Sequence, residues 1–194
     1  MSEYDRIKSH FIVEDTNAGK LDYVFLPGAR ELFLDDVSTG INAGKIAFGE
    51  VFFEFGAGYA PFSFEIASLM PSRSFIHYVS DPRYSQNLLN ADENIVKILT
   101  QGIPEDLHQL DLIQKKMTLI FMNVLNYIAV EDFLNACTNE SSQTVIILNS
   151  NSTSGDSHPR RILNADIEKT LSQIGYSAVL ASYDSDIFYG IFQR

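Results

Sequence analysis

An apolar run that opens into two closely spaced glycines is the feature that most constrains this chain. Residues 51–61 read VFFEFGAGYAP, so a strand-like segment carries Glu54 near its end and continues into Gly56 and Gly58. Roughly 20 residues later a second apolar run ends in Asp81. Glycines at such a turn adopt backbone conformations closed to other residues and let the backbone approach a ligand closely. The pattern predicts the start of a βαβ unit with a nucleotide-binding loop.

From residue 50 onward, apolar runs alternate with helical patterns. This alternation predicts an α/β fold: a mostly parallel, doubly wound sheet of about seven strands, with a C-terminal antiparallel hairpin and helices on both faces. Ligand sites in such sheets lie at the carboxyl ends of the strands. The predicted strands are 50–55, 74–80, 94–100, 118–124, 143–148, 176–183 and 187–193, and the predicted helices are 62–70, 83–89, 130–137 and 159–174.

The first 49 residues do not follow the alternation. We expect residues 1–46 to form an N-terminal cap or lid over the ligand edge of the sheet, and residues 47–194 to form the ligand-binding domain. The segment 22–33 fits either a helix or a pair of strands, and the segment 40–44, with a glycine at each end, predicts a flexible joint.

Composition excludes several classes of function. The net charge of -11 argues against a non-specific nucleic-acid surface, which needs clustered Lys and Arg. No apolar run approaches the roughly 18 residues that span a bilayer, and the N-terminus does not resemble a signal peptide, so we expect a cytoplasmic protein without membrane partners. The single cysteine, Cys137, is expected to be a buried, inert thiol. The histidines and acids show no metal-ligand spacing, so no metal is predicted.

The glycine loop narrows the choice of ligand. A dinucleotide loop places Gly or Ala where this chain has Pro61, which lacks an N–H, and the Gly-Lys-Ser/Thr of a phosphate-binding loop is absent here. The pattern that remains is Glu-x-Gly-x-Gly-x-Ala, formed by Glu54, Gly56, Gly58 and Ala60. With Asp81 after the second strand and the stretch NVLNYI at 123–128 after the fourth, the chain resembles the class I S-adenosylmethionine-dependent methyltransferase family. The resemblance covers residues 47–194.

The resemblance implies S-adenosylmethionine as cofactor and in-line methyl transfer to a small-molecule acceptor, with Asp81 on the ribose hydroxyls. The acid that the family often has after the third strand is replaced here by QGIP at 101–104, which leaves Ile103 to pack on the adenine. The implied cofactor-binding residues are Glu54, Gly56, Ala57, Gly58, Tyr59, Asp81, Pro82, Ile103 and Asn123. The implied acceptor-side residues are Asn126, Tyr127, Asn149 and His158, of which His158 and Tyr127 are the candidate catalytic groups.

Two other functions stay open. The proline at position 61 also resembles the loop of nicotianamine-synthase-like enzymes, which transfer the aminocarboxypropyl group of the same cofactor. A catalytically inactive methyltransferase fold that serves as a scaffold is the other alternative. The sequence does not decide the oligomeric state.

Several site residues also have a structural reading. The glycines can form a turn without a ligand, and Asp81 before Pro82 can cap a helix. A structural hydrogen bond is the alternative for Glu54, His158 can be a solvated surface residue, and His77, mid-strand, is expected in the core.

Overall fold

The structure is a computed structural model that describes residues 9, 11, 28–58, 60–84, 95–103, 105–151, 157–183 and 186–194. The strands in that part of the chain are β1 (Val51–Phe55), β2 (Ile76–Ser80), β3 (Val96–Leu99), β4 (Met117–Met122), β5 (Ser142–Ser150), β6 (Ser177–Tyr183) and β7 (Ile187–Gln193). The helices are α1 (Ala29–Asn42), α2 (Phe62–Ser68), α3 (Val130–Thr138) and α4 (Ile167–Gln173). Two 3₁₀ segments cover Glu105–Leu112 and Asn164–Asp166.

The seven strands form one sheet in the order β3-β2-β1-β4-β5-β7-β6. Strands β1 to β5 pair in parallel, and β7 runs antiparallel to both of its neighbours. The predicted mostly parallel sheet with a C-terminal antiparallel hairpin is therefore confirmed. This order brings the carboxyl ends of β2, β1, β4 and β5 to one edge, which is where parallel sheets bind ligands.

Strand β1 is buried on both faces, which explains why its sequence is apolar apart from Glu54. Phe53 and Phe55 pack into the core cluster that contains Phe133 of α3 and Leu171 of α4. Phe52 points to the opposite face. Helices therefore cover both faces of the sheet, as predicted, and each fully buried Phe contributes on the order of 2 kcal/mol.

Helix α1 belongs to the second face of the sheet. Phe33 and Val37 of α1 are fully buried there. The Phe33 ring stacks on the Phe62 ring of α2 at 5.7 Å and meets the Tyr189 ring of β7 at 5.2 Å. Residues 29–42 thus share a core with the sheet. The described part of the segment 22–33, residues 28–33, forms the start of this helix and no strand. The division into residues 1–46 and 47–194 stays a prediction.

The prediction of a helix over 159–174 is wrong in its first half. Helix α4 begins only at Ile167, after the short 3₁₀ segment at 164–166. Tertiary hydrogen bonds hold the preceding chain in other conformations: the Arg160 carbonyl accepts the Val130 N–H at 2.8 Å. The Asn164 side chain bonds to both the side chain and the backbone of Asn149. Helical periodicity in a sequence does not register such long-range bonds.

The predicted flexible joint at 40–44 is instead the end of α1. The helix continues through Gly40, and the Ala43 and Gly44 N–H groups donate to Thr39 and Ile41. Gly44 has a φ of 66°, the left-handed conformation that commonly ends helices.

The 3₁₀ segment at 105–112 was not predicted. The predicted helix at 83–89 lies, beyond residue 84, outside the described residues, as do Tyr59, Pro104 and the segments 22–27 and 152–156. None of the described helices is long and apolar enough to cross a bilayer.

Candidate functional site

The glycine loop after β1 is a tight turn held by its neighbours. Gly56 and Gly58 have φ values of 61° and 56°, which explains why glycine occupies both positions. The Ala57 N–H donates to the Ser80 carbonyl at 3.1 Å, which joins the loop to the end of β2. A Cβ on Gly56 would lie 2.7 Å from Val124 Cγ2, so the loop also passes closely over the residue that follows β4 by two positions.

Glu54 holds the start of α2 from below the loop. It is fully buried, and its two carboxylate oxygens accept the backbone N–H groups of Phe62 at 2.7 Å and Ser63 at 2.8 Å. Burial raises the pKa of the Glu54 carboxyl to about 7, although these hydrogen bonds and the charge of Arg30 oppose the shift. Both oxygens are therefore engaged in fixing the loop, which agrees with the structural reading and leaves a cofactor contact a prediction.

Arg30 of α1 fixes the far end of the same loop. Its Nη2 donates to the Ala60 carbonyl at 2.7 Å, and its Nε pairs with Glu65 of α2 at 3.0 Å. The guanidinium also lies 5.1 Å from the centre of the Phe62 ring. No sequence signal marks this contact, because position 30 is distant in sequence from the loop and belongs to no motif.

Asp81 lies at the end of β2, as predicted, and is 1% exposed. Its Oδ2 accepts the Gly58 N–H at 3.0 Å, so the acid and the glycine loop are joined directly. Arg83 forms an ion pair with the same carboxylate, with Nη2 and Oδ2 2.6 Å apart. Tyr84 closes the arrangement by donating its hydroxyl to the Gly58 carbonyl at 2.6 Å.

A buried acid that was not predicted from the sequence, Asp106, follows β3. Asp106, in the first 3₁₀ segment, is 5% exposed, and its Oδ2 accepts hydrogen bonds from the Ser80 hydroxyl at 2.5 Å and the Gly102 N–H at 2.8 Å. A Cβ on Gly102 would lie 3.4 Å from Pro82, so the chain around Ile103 borders the end of β2. Its sequence signal is an acid that follows the third strand a few positions later than the acid of the methyltransferase pattern.

A polar cluster joins the ends of β4 and β5. Asn123 has a φ of 55°, and its Oδ1 accepts the Ser150 hydroxyl at 2.7 Å and the Ser150 N–H at 3.2 Å. Asn126 donates its amide to the Ser150 carbonyl at 2.6 Å. Asn149 is fully buried and donates to Asn164 at 2.8 Å. Three of the predicted residues thus lie at the ends of these two strands, and hydrogen bonds to Ser150 and Asn164 occupy much of their polar capacity.

His158 and Tyr127 border this cluster. The His158 N–H donates to the Asn126 carbonyl at 2.8 Å, while its ring Nδ1 accepts the Arg160 N–H at 3.2 Å. Accepting at Nδ1 places the proton of a neutral imidazole on Nε2. Tyr127 is 50% exposed. The two candidate catalytic groups therefore lie near the carboxyl ends of β4 and β5, and His158 Nδ1 can accept a proton only if its bond to the Arg160 N–H opens.

Two further titratable residues, His77 and Cys137, lie in the core. His77 is buried among the rings of Phe52, Phe64 and Phe75, as expected, and burial lowers its pKa to about 4. Cys137 is fully buried, as expected, and burial raises the pKa of its thiol. Among the described residues, no three His, Cys, Asp or Glu side chains come close enough to hold a metal ion.

Comparison with solved structures identifies the fold. An O-methyltransferase family protein from Burkholderia thailandensis matches with a TM-score of 0.56 and 11% identity over 84% of this chain and 55% of that one. Human N-acetylserotonin methyltransferase, solved with S-adenosylmethionine, matches with a TM-score of 0.51 and 13% identity over 88% and 54%. A candidate hemolysin from Lactococcus lactis matches with a TM-score of 0.57 and 13% identity over 89% of both chains.

The chain therefore has the fold of class I S-adenosylmethionine-dependent methyltransferases. It spans about half the length of the first two of these proteins. No protein-family model and no curated protein matches the sequence.

Proposed function

We propose that the chain binds S-adenosylmethionine at the glycine loop and transfers its methyl group to a small-molecule acceptor. One observation carries the proposal: the buried Asp81 at the end of β2 is joined to the glycine loop through the Gly58 N–H. A fixed acid beside a glycine turn at this edge of the sheet suits a ribose and the chain attached to it. The fold is the one that human N-acetylserotonin methyltransferase has in its complex with S-adenosylmethionine.

The residues present fit this cofactor in their chemistry. Asp81 supplies a carboxylate for the ribose hydroxyls. The left-handed conformations of Gly56 and Gly58 allow the loop backbone to approach a ligand. Ile103, half-buried beside the end of β2, offers an apolar surface for the adenine. Glu54 would act through the loop that it holds, because both its oxygens are bonded to α2.

The bound cofactor would supply the electrophilic methyl group, and the protein would supply position and orientation. The acceptor would lie over the ends of β4 and β5, beside Asn126, Tyr127 and His158. An acceptor hydroxyl that must lose its proton could use His158 once its Nδ1 is released from the Arg160 N–H.

Calorimetric titration with S-adenosylmethionine and S-adenosylhomocysteine tests the proposal. We expect micromolar binding by the parent and a loss of at least tenfold in Asp81→Asn, because an amide accepts only one of the two bonds that the carboxylate offers. Glu131→Gln, which weakens the exposed ion pair with Arg160, is the matched carboxylate-to-amide control and should bind like the parent. Absence of binding at millimolar concentrations of both ligands would refute the proposal.

Product analysis then separates the alternatives. Formation of S-adenosylhomocysteine indicates methyl transfer, whereas methylthioadenosine indicates transfer of the aminocarboxypropyl group. Binding without either product, over a broad acceptor screen, would favour the scaffold alternative.

A further inference from the structure

Arg83 occupies the carboxylate that a ribose would need. Asp81 Oδ1 accepts the Arg83 backbone N–H at 2.9 Å and the Arg83 Nε at 2.8 Å. Asp81 Oδ2 accepts the Gly58 N–H at 3.0 Å and the Arg83 Nη2 at 2.6 Å. An ionised carboxylate has about four lone-pair positions, so these four bonds use its whole accepting capacity.

The four bonds differ in how easily they can be exchanged. The two backbone donors belong to the turn after β2 and to the glycine loop, and Asp81 itself is buried. The Arg83 side chain is 44% exposed, so water can hydrate the guanidinium once it leaves. The exchangeable donors are therefore Nε and Nη2, one on each carboxylate oxygen.

A vicinal diol matches the two positions that the guanidinium fills. Nε and Nη2 form a planar fork that donates one hydrogen bond to each oxygen of Asp81. The 2′- and 3′-hydroxyls of a ribose are two adjacent donors that can bond the same two oxygens. Both ligands cannot be accommodated together, because the accepting positions are already used.

We propose that Arg83 is a built-in competitor of the nucleoside diol and sets the affinity of this site for ribose-containing ligands. The inference rests on the proposed function, and it adds a regulatory contact to the cofactor site. Ribose binding then requires Arg83 to leave Asp81, so the observed affinity is lower than the acid and the loop alone would give. A variant without the guanidinium should bind a ribonucleoside more tightly.

The test compares adenosine with 2′,3′-dideoxyadenosine, since both are uncharged and only adenosine carries the diol. In Arg83→Met we expect the dissociation constant for adenosine to fall about tenfold, the amount expected from removing one charged competitor. The affinity for the dideoxy ligand should not change. Arg73→Met is the matched control, because Arg73 donates to the Phe48 carbonyl and packs on Phe75, before β2 begins.

Equal adenosine affinity in the parent and Arg83→Met would overturn the proposal, and so would a weaker affinity in the variant, which would make Arg83 a ligand contact. A gain that is the same for the dideoxy ligand would also overturn it, since the diol would not be involved. If the parent binds S-adenosylhomocysteine but the adenosine affinity is unchanged in the variant, the proposed role of Arg83 is refuted and the proposed function stands. If neither protein binds adenosine or S-adenosylhomocysteine at millimolar concentrations, both fail.

Discussion

Two buried titratable residues, Glu54 and His77, give the protein opposing responses to pH. Glu54 has a pKa of about 7 when folded and 4.5 ordinarily, so its contribution to stability is present below pH 4.5 and is lost as the pH rises through 7. His77 has a pKa of about 4 when folded and 6.5 ordinarily. Its contribution is present above pH 6.5 and is lost as the pH falls through 4. Because the two windows overlap, the parent's own pH profile conceals both effects.

Replacement of the histidine separates them. Between pH 6.5 and pH 4, the parent should lose about 3 kcal/mol of unfolding free energy more than His77→Leu, since the unfolded chain then binds a proton that the folded chain does not. Urea unfolding at a series of pH values measures the difference. Parallel curves for parent and variant would show that burial does not shift His77.

At the residue scale, the sequence predicted which residues lie together at the strand ends but not the individual hydrogen-bond partners of their side chains. Gly56, Gly58 and Asp81 were predictable because their spacing follows strand ends. The Arg83 contact was not, because it depends on the rotamer of a flexible side chain two positions after the acid. The Asn164 partner of Asn149 was equally hidden, since it lies 15 residues further along the chain.

Among the helices, α1 depends on a glycine inside its last turns. A Cβ on Gly40 would lie 2.3 Å from Ile46 Cδ1 and 2.8 Å from its Cγ1, so an alanine here requires the Ile46 side chain to change its conformation. Glycine nevertheless costs a helix about 1 kcal/mol relative to alanine. Helix propensity and packing against Ile46 therefore oppose one another at this position.

A double-mutant cycle measures this conflict. We expect Gly40→Ala to be about 1 kcal/mol more favourable in an Ile46→Ala background than in the parent, because the shortened side chain removes the clash, whereas the gain in helix propensity is the same in both backgrounds and cancels from the cycle. Chemical denaturation of the four proteins gives the coupling energy. Additive effects would mean that Ile46 moves aside without cost.

The elements that the sequence predicted well are those whose signal is local. β1 is apolar except for Glu54, and the centre of β5 at 145–148 is a continuous apolar run; such runs are buried on both faces. The chain at 159–163 carries a helical pattern that loses to bonds with α3, and the segment at 105–112 forms 3₁₀ turns that have no apolar period to reveal them. Local pattern decides an element only where no distant hydrogen bond competes.

At the scale of the whole molecule, charge is the dominant long-range term. A net charge of -11 makes the folded chain repel itself, and added salt screens that repulsion. We expect the melting temperature to rise by about 2–4 °C when NaCl increases from about 0.05 M to about 0.5 M. Differential scanning calorimetry measures the shift, and a lower melting temperature at high salt would show that attractive ion pairs outweigh the repulsion.

The order of strands in the sheet has a consequence for how the polypeptide is made. β7 lies between β5 and β6 although both precede it in the chain, and β1 sits beside β4, with Val51 paired to Met117. While the chain emerges from a ribosome, one edge of β1 stays unpaired until β4 is made. The strands β5 and β6 have no partner between them until β7 is made and pairs with both. The nascent chain therefore carries exposed strand edges through most of its synthesis, the situation in which holding chaperones bind.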